Sequence, residues 1–149
     1  MGDKENIFQK AIGLIIKNIG GVVQSSSVYE TESWGFTSEL FVNQVIVVES
    51  ELSPNDVLLA ALAIENTLGR NRKSKNYEAR PIDIDLLFYD DIILESKDLT
   101  IPHPRIAERR FVLEPLCEIA AQKKHPVTGF TVSEMLINCT DRLKVTKIG

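Results

Sequence analysis

Asp83 and Asp85 stand two apart in an alternating run, Ile82-Asp83-Ile84-Asp85-Leu86-Leu87-Phe88. In a β-strand, residues i and i+2 share one side, which sets the two carboxylates about 7 Å apart. Like charges this close repel unless a cation sits beside them. Their hard oxygens suit Mg²⁺, which takes one or two carboxylates and fills its shell with phosphate and water. A solvent-facing strand carries the same pattern at little cost, so the pair alone decides nothing. Its neighbour adds weight. Between Arg70 and Arg80, the cations Arg70, Arg72, Lys73, Lys75 and Arg80 face only Glu78. That segment carries net +4 in a chain of net −4. It reads either as a solvated loop or as a grip for a polyanion. Metal-binding carboxylates beside guanidinium groups form the layout of phosphoryl transfer, in which cations neutralise the charge that shifts in the transition state.

Asn43 lies inside an otherwise apolar stretch and shares a face with Phe41. It is either an edge amide satisfied by the fold or a planar group offered to a heterocycle, with the phenyl ring to stack. Trp34-Gly35-Phe36 precedes it as core or pocket wall. His103 is set between Pro102 and Pro104, with Arg109 and Phe111 close behind. Other chemistries lack their signatures. There is no G-x-x-x-x-G-K-[ST] loop, no kinase glycine loop and no G-x-S-x-G elbow. His103, His125, Cys117 and Cys139 show no zinc-ligand spacing.

The elements that must position these residues follow from periodicity. Asp3 is expected to cap a helix whose apolar face is Ile7, Phe8, Ala11, Ile12, Ile15 and Ile19, stopped by Gly20-Gly21. Val22 to Tyr29 reads as a strand and Glu30 to Glu39 as a loop. Leu40 to Glu51 alternates as a strand. Ser53-Pro54-Asn55-Asp56 opens a second helix that Gly69 should end. Ile82 to Tyr89 reads as a strand, Asp90-Asp91 as a turn, and Ile92 to Leu94 as a strand pairing back. Phe111 to Ile119 and Thr131 to Asn138 read as helices. No internal repeat appears.

The 149 residues suit one domain. Hydrophobic residues make up 44% and charged residues 26%, which excludes a disordered or fibrous chain. No apolar run reaches the ~18 residues of a membrane span. Met1 to Asn6 lacks the apolar stretch of a signal peptide. Two cysteines suit a reduced, cytoplasmic protein. The net negative charge argues against a generally basic nucleic-acid binder.

Taken together these residues resemble the 6-hydroxymethyl-7,8-dihydropterin pyrophosphokinase family of folate biosynthesis. The most specific part is Gly69-Arg70-Asn71-Arg72-Lys73 continuing to Arg80-Pro81-Ile82-Asp83-Ile84-Asp85-Leu86-Leu87. It is similar to the family's G-R-x-R-x…R-P-x-D-[IL]-D-[IL] signature. Val28 to Gly35, Phe41-Val42-Asn43, Ile101 to Arg105 and Arg109-Arg110-Phe111 also match, in order. The resemblance implies transfer of pyrophosphate from ATP to the pterin hydroxymethyl group, with AMP as the other product. It implies an α+β, ferredoxin-like antiparallel sheet with helices on one face and C-terminal additions, which agrees with the element order. By the resemblance, Asp83 and Asp85 would hold two Mg²⁺ ions. Arg70 and Arg80 would act in catalysis with them. Arg72, Glu65, His103 and Arg109 would meet ATP. Thr31, Trp34, Asn43 and Phe111 would hold the pterin, Thr31 to Trp34 through the main chain. Tyr77 stands where many members carry a loop aromatic. Pro104 replaces a tyrosine found in some.

Members of the family begin with an apolar strand ending in a G-S-N-x-G-D-like turn, of which Gly2-Asp3 stands here. The expectation is therefore a single pyrophosphokinase domain over 1–149, truncated at its N-terminus and lacking the first strand. A monomer is expected for the family, with self-association through open sheet edges if that strand is absent. Two rivals stand beside this reading. One is an inactive remnant that keeps nucleotide binding or a partner surface. The other is an RNA-binding ferredoxin-like module, against which speak the absent K/R-G-F/Y-G/A-F-V-x-F/Y run and the carboxylate pair.

Overall fold

The computed structural model describes residues 2–32, 40–70 and 82–148. Its elements in chain order are helix α1 (Gly2–Asn18) and strands β1 (Gly21–Ser25), β2 (Tyr29–Glu32), β3 (Leu40–Asn43) and β4 (Ile46–Glu49). Helix α2 (Pro54–Arg70) and the short strands β5 (Leu94–Glu95) and β6 (Thr100–Ile101) follow. A 3₁₀ turn (Ile106–Glu108), α3 (Arg110–Ala120), α4 (Val132–Asn138) and β7 (Val145–Lys147) complete it. This is an α+β chain with antiparallel pairing of β2 with β3, β2 with β7 and β5 with β6. It divides into two compact units, Met1–Val23 with Val48–Leu86, and Gln24–Val47 with Leu87–Gly149.

In the first unit α1 packs on α2. Ala11 and Ile15, one turn apart on α1, and Ala61, Ile64 and Leu68 on α2 are buried, as helical spacing requires. Ser53 caps α2, its Oγ accepting the Asp56 N–H at 3.2 Å. Gly20 passes so close to the chain at Glu49 that a Cβ there would overlap its carbonyl oxygen. Ser50 donates its hydroxyl to the Ile19 carbonyl at 2.6 Å beside that crossing.

The second unit holds a three-stranded sheet in the order β3-β2-β7. Tyr29 faces Asn43 and Lys147 across it, and Thr31 faces Phe41 and Val145. Helix α3 packs on this sheet and α4 packs on α3. The core is Ile106, Leu113, Leu116, Val132, Met135 and Cys139. A reciprocal capping box opens α4: Thr131 Oγ1 accepts the Glu134 N–H, and the Glu134 carboxylate accepts the Thr131 N–H.

Several boundaries differ from the sequence reading. Helix α1 begins at Gly2, so Asp3 lies inside the first turn and is not its cap. Helix α2 continues through Gly69 to Arg70. The two long strands are each broken, at Ser26 to Val28 and at Gln44-Val45. At the break, Ser26 Oγ accepts the Val45 N–H at 2.9 Å, a main-chain ladder bond replaced by a side chain. Residues 82–86 alternate in exposure as a strand would, residues 86–89 are all half-buried, and the run joins no ladder among the described residues. After the Asp90-Asp91 turn, Leu94 pairs with Ile101 rather than returning to that run. Glu30 and Glu32, read as loop, belong to β2. The strand read at Ile92 to Leu94 overlaps β5 only at Leu94, and β6 and β7 had no counterpart in the sequence reading.

Candidate active site

In the first unit the carboxylate run is tied down from behind. Glu65, three turns into α2, is only 8% exposed. Its Oε2 accepts the Ile84 N–H at 2.6 Å. Ile84 is the residue between Asp83 and Asp85, and both aspartates are exposed while Ile84 is half-buried. One helix-borne carboxylate thus holds the middle of the D-x-D run, and the two aspartates present oxygen on its outer side. Among the described residues no group of three or more His, Cys, Asp or Glu side chains gathers as a metal site. A two-carboxylate donor set fits a hard ion such as Mg²⁺ that completes its shell with phosphate and water. It does not fit an all-protein cage. Arg70 ends α2. Arg72, Arg80 and Tyr77 lie outside the described residues, as does Trp34 of the aromatic loop.

In the second unit the structure sets Thr31 and Asn43 on paired strands of one sheet, with α3 packed on that sheet. Paired residues of an antiparallel ladder, and residues two apart along a strand, share a face. By the register, Tyr29, Thr31, Phe41 and Asn43 all point to one side of the β2–β3 pair. Thr31 is 2% exposed, and its main chain lies in ladders on both sides. Its Oγ1 and the Asn43 Nδ2 are both buried with no hydrogen-bond partner among the described residues. Leaving such an atom unpaired costs about 1–3 kcal/mol, and the two lie on adjacent strands. Phe41 is 56% exposed on the same face.

Helix α3 opens with the residues singled out from the sequence. The Arg109 guanidinium lies 5.5 Å from the centre of the Phe111 ring, a cation–π contact. Arg109, the residue that precedes the helix, makes no side-chain cap. The cap comes from far along the chain: Asp141 Oδ2 accepts the Arg110 N–H at 3.0 Å, and the Asp141 carbonyl accepts the Arg110 Nε–H at 2.8 Å. His103 is fixed by its own N–H, which donates to the Leu87 carbonyl at 2.9 Å. Its Nδ1 accepts the Arg105 N–H at 3.1 Å, which assigns the neutral ring's proton to Nε2.

Comparison with known proteins agrees with the residue pattern. The family model described as 7,8-dihydro-6-hydroxymethylpterin-pyrophosphokinase (HPPK) matches residues 1–121. The chain belongs to this family. It is 40% identical over 124 residues to the 2-amino-4-hydroxy-6-hydroxymethyldihydropteridine pyrophosphokinase of Porphyromonas gingivalis (strain ATCC 33277), covering 80% of this chain and 84% of the relative. It is 35% identical over 131 residues to the enzyme of that name from Bacillus subtilis (strain 168), covering 87% and 78%. It is also 38% identical over 121 residues to the folic acid synthesis protein fol1 of Pneumocystis carinii, covering 80% of this chain and 16% of that one.

The HPPK match covers residues of both compact units and stops one residue past α3, short of the end of the second unit. Asp141, which caps α3, and β7, which pairs with β2, lie beyond it. No helix among the described residues is long and apolar enough to cross a membrane. The sequence reading passed over the tie between Glu118 on α3 and Tyr29 on β2. Tyr29 Oη–H donates to Glu118 Oε1 at 2.8 Å. The Ser27 N–H and Oγ–H donate to the same carboxylate, each at 3.0 Å. Burial, then the hydrogen bond to Glu118, pushes the Tyr29 hydroxyl up to about 12. Burial pushes Glu118 upward, but the bonds from Tyr29 and Ser27 outweigh it and leave the carboxyl below its usual value. The only sequence signal was the place of Tyr29 inside the Val28 to Gly35 match.

Proposed function

We propose that this pyrophosphokinase binds 6-hydroxymethyl-7,8-dihydropterin through the β2–β3 face and acts on ATP at the carboxylate run. The reaction belongs to folate biosynthesis. The pterin hydroxymethyl oxygen attacks the β-phosphorus of ATP, a new P–O bond forms, the bond to the α-phosphate oxygen breaks, and AMP leaves. The hydroxyl proton is released. The observation that carries the pterin assignment is the pair of buried, unpartnered atoms, Thr31 Oγ1 and Asn43 Nδ2. A polar heterocycle edge satisfies both. Phe111 supplies a ring to stack on the pterin, and Trp34 is assigned to the same pocket from the sequence match.

Asp83 and Asp85 are proposed to hold Mg²⁺, two ions by the family resemblance. Held there, such an ion would supply positive charge against the triphosphate and so lower the charge that opposes attack. Arg70, Arg72 and Arg80 are assigned to the phosphates, with Arg80 nearest the carboxylate run in sequence. His103 and Arg109 are assigned to ATP. Glu65 serves this site by holding Ile84, whose neighbours are the two aspartates.

The finer fold we propose is one ferredoxin-like domain over 1–149. Its support is the element order, and the extended, unladdered run at 82–89 is where a further strand would pair. The two free cysteines suit the cytoplasm, where we place a monomer.

The test is AMP formation from ATP and 6-hydroxymethyl-7,8-dihydropterin, joined to calorimetry of each substrate. Asp85→Ala abolishes turnover while the protein stays folded. Asn43→Leu weakens pterin binding about tenfold to a hundredfold and leaves ATP binding nearly unchanged. Turnover unchanged in Asp85→Ala refutes the metal assignment. Equal loss of both substrates in Asn43→Leu refutes the pocket.

A further inference from the structure

We infer that Glu118 is a positioning residue for pterin binding, locking helix α3 to strand β2 through Tyr29 and Ser27. The inference rests on the pterin reading of the β2–β3 face and adds to it the device that sets the pocket's width. Phe111 and Glu118 are seven residues apart on α3, two helical turns, and so share a face. Phe111 stands in the first turn and Glu118 near the last. On the facing strand, Tyr29 lies directly opposite Asn43 and two residues from Thr31, on the side where both orphaned atoms are buried. The stacking ring and the hydrogen-bonding edge of the pocket are therefore on different elements. Helix α3 is tied to Tyr29 of β2, and to Ser27 in the break before it, by three hydrogen bonds to a single carboxylate: Tyr29 Oη–H at 2.8 Å, Ser27 N–H at 3.0 Å and Ser27 Oγ–H at 3.0 Å.

The chemistry of that joint resists movement. Glu118 Oε1 takes two of the donors and Oε2 the third, so sliding or lifting α3 breaks bonds in more than one direction. Charge-assisted bonds are the stronger kind. Tyr29 is 7% exposed and its bond is part-buried, whereas Glu118 is exposed and the two bonds from Ser27 lie at the surface, so the Tyr29 bond is the sheltered one of the three. The other charged or titratable groups acting on the joint are Glu114 and Cys117 on α3 and Lys147 on β7. Lys147, opposite Tyr29 in the ladder, favours the ionised carboxylate. Neither Glu118 nor Tyr29 is needed to touch substrate for this role.

The test compares wild type, Tyr29→Phe, Glu118→Ala, Glu118→Gln and Asn43→Leu as full-length folded protein. It measures calorimetric affinity for 6-hydroxymethyl-7,8-dihydropterin and for ATP, with KM and kcat for each. Tyr29→Phe keeps the ring's volume and removes one bond; pterin affinity is expected to fall about threefold to tenfold, with ATP affinity within about twofold. Glu118→Ala is expected to lose at least as much. Glu118→Gln restores near-wild-type pterin affinity, because its carbonyl can accept from Tyr29 and Ser27 N–H while its amide donates to Ser27 Oγ. A purely structural role lowers the melting temperature and the active fraction and leaves pterin KM where it was. If Glu118→Ala does not fold, Tyr29→Phe and Glu118→Gln decide. Wild-type pterin affinity in Tyr29→Phe, with loss in Asn43→Leu, overturns the lock and leaves the pocket standing. Wild-type affinity in Asn43→Leu overturns the pocket and the lock with it.

Discussion

At the scale of single residues, side-chain type was readable and side-chain employment was not. Asp83 and Asp85 were legible because the period of two puts both on one side of an extended run, and the structure leaves both exposed. Asn43 could be singled out because an amide inside an apolar stretch demands a partner, and its buried Nδ2 has none among the described residues. Glu65 was read as lining a nucleotide site; its Oε2 is engaged with the Ile84 N–H. No spacing rule links residue 65 to residue 84, because the bond depends on how α2 lies against the run. That bond yields a prediction. Glu65→Ala leaves the Ile84 N–H without its 2.6 Å acceptor and releases the segment that presents the two aspartates. We expect kcat to fall by about tenfold or more, with pterin affinity unchanged. Glu65→Gln, which keeps a carbonyl acceptor, recovers most of the rate. Steady-state kinetics of the two variants decide it, and equal loss in both would assign the effect to the charge of Glu65 rather than to its hold on Ile84.

At the scale of elements, local signals succeeded where the information is local. The Ser53 cap, the Thr131 capping box and the apolar faces of α1 and α2 lie within a few residues of what they control. Strand breaks were missed because they depend on the partner strand. Val22 to Tyr29 and Leu40 to Glu51 have unbroken β-type composition. The interruption comes from Ser26, 4% exposed, whose Oγ accepts the Val45 N–H and donates to the Ser27 carbonyl. Its main-chain N–H still donates to the Val45 carbonyl, and the Gln44 side chain donates to the Ser26 carbonyl. The interruption is a hydrogen-bonded jog in the chain between β1 and β2, not a frayed end. Ser26→Ala removes the acceptor and leaves the part-buried Val45 N–H without it. The expected destabilisation is about 1–3 kcal/mol, seen as a lower denaturant midpoint with an unchanged slope. Ser26→Thr, which retains a hydroxyl, should lose less if its extra methyl is accommodated. A midpoint for Ser26→Ala equal to wild type would show that water replaces the serine at no cost.

At the scale of the whole molecule, the element order pointed to an α+β fold, whereas the participation of the C-terminal segment did not show. Strand β7 pairs with β2 across more than a hundred residues of sequence, and Asp141 caps α3 from beyond the family match. Long-range pairings leave no periodic trace, so they must be seen. They also place titratable groups where pH can test the fold. Burial holds the His125 imidazole below its ordinary value. The unfolded chain therefore takes that proton first, and stability starts to fall as pH drops below about 6.5. Glu118, held below the carboxylate range, contributes stability above its unfolded pKa that is lost as pH falls through its lower folded value. On the alkaline side, burial and then Glu114 push the Cys117 thiol up, so the unfolded thiol ionises first, from about pH 8.5. Tyr29, raised to about 12, contributes stability that is complete below pH 10 and lost between 10 and 12. All four groups lie in the second unit. The expected profile of melting temperature is a plateau from about pH 7 to 8.5 with a decline on both sides. Tyr29→Phe removes the step between pH 10 and 12 and leaves the acid limb near pH 6 in place. His125→Asn, which keeps an acceptor for the Val127 and Thr128 N–H groups now bonded to Nδ1, removes the first part of the acid limb. Circular dichroism melts from pH 4 to 11.5 check each step. A melting temperature that rises on acidification from 7 to 5, or stays level between 10 and 11.5 in wild type, would contradict the environments assigned to His125 and Tyr29.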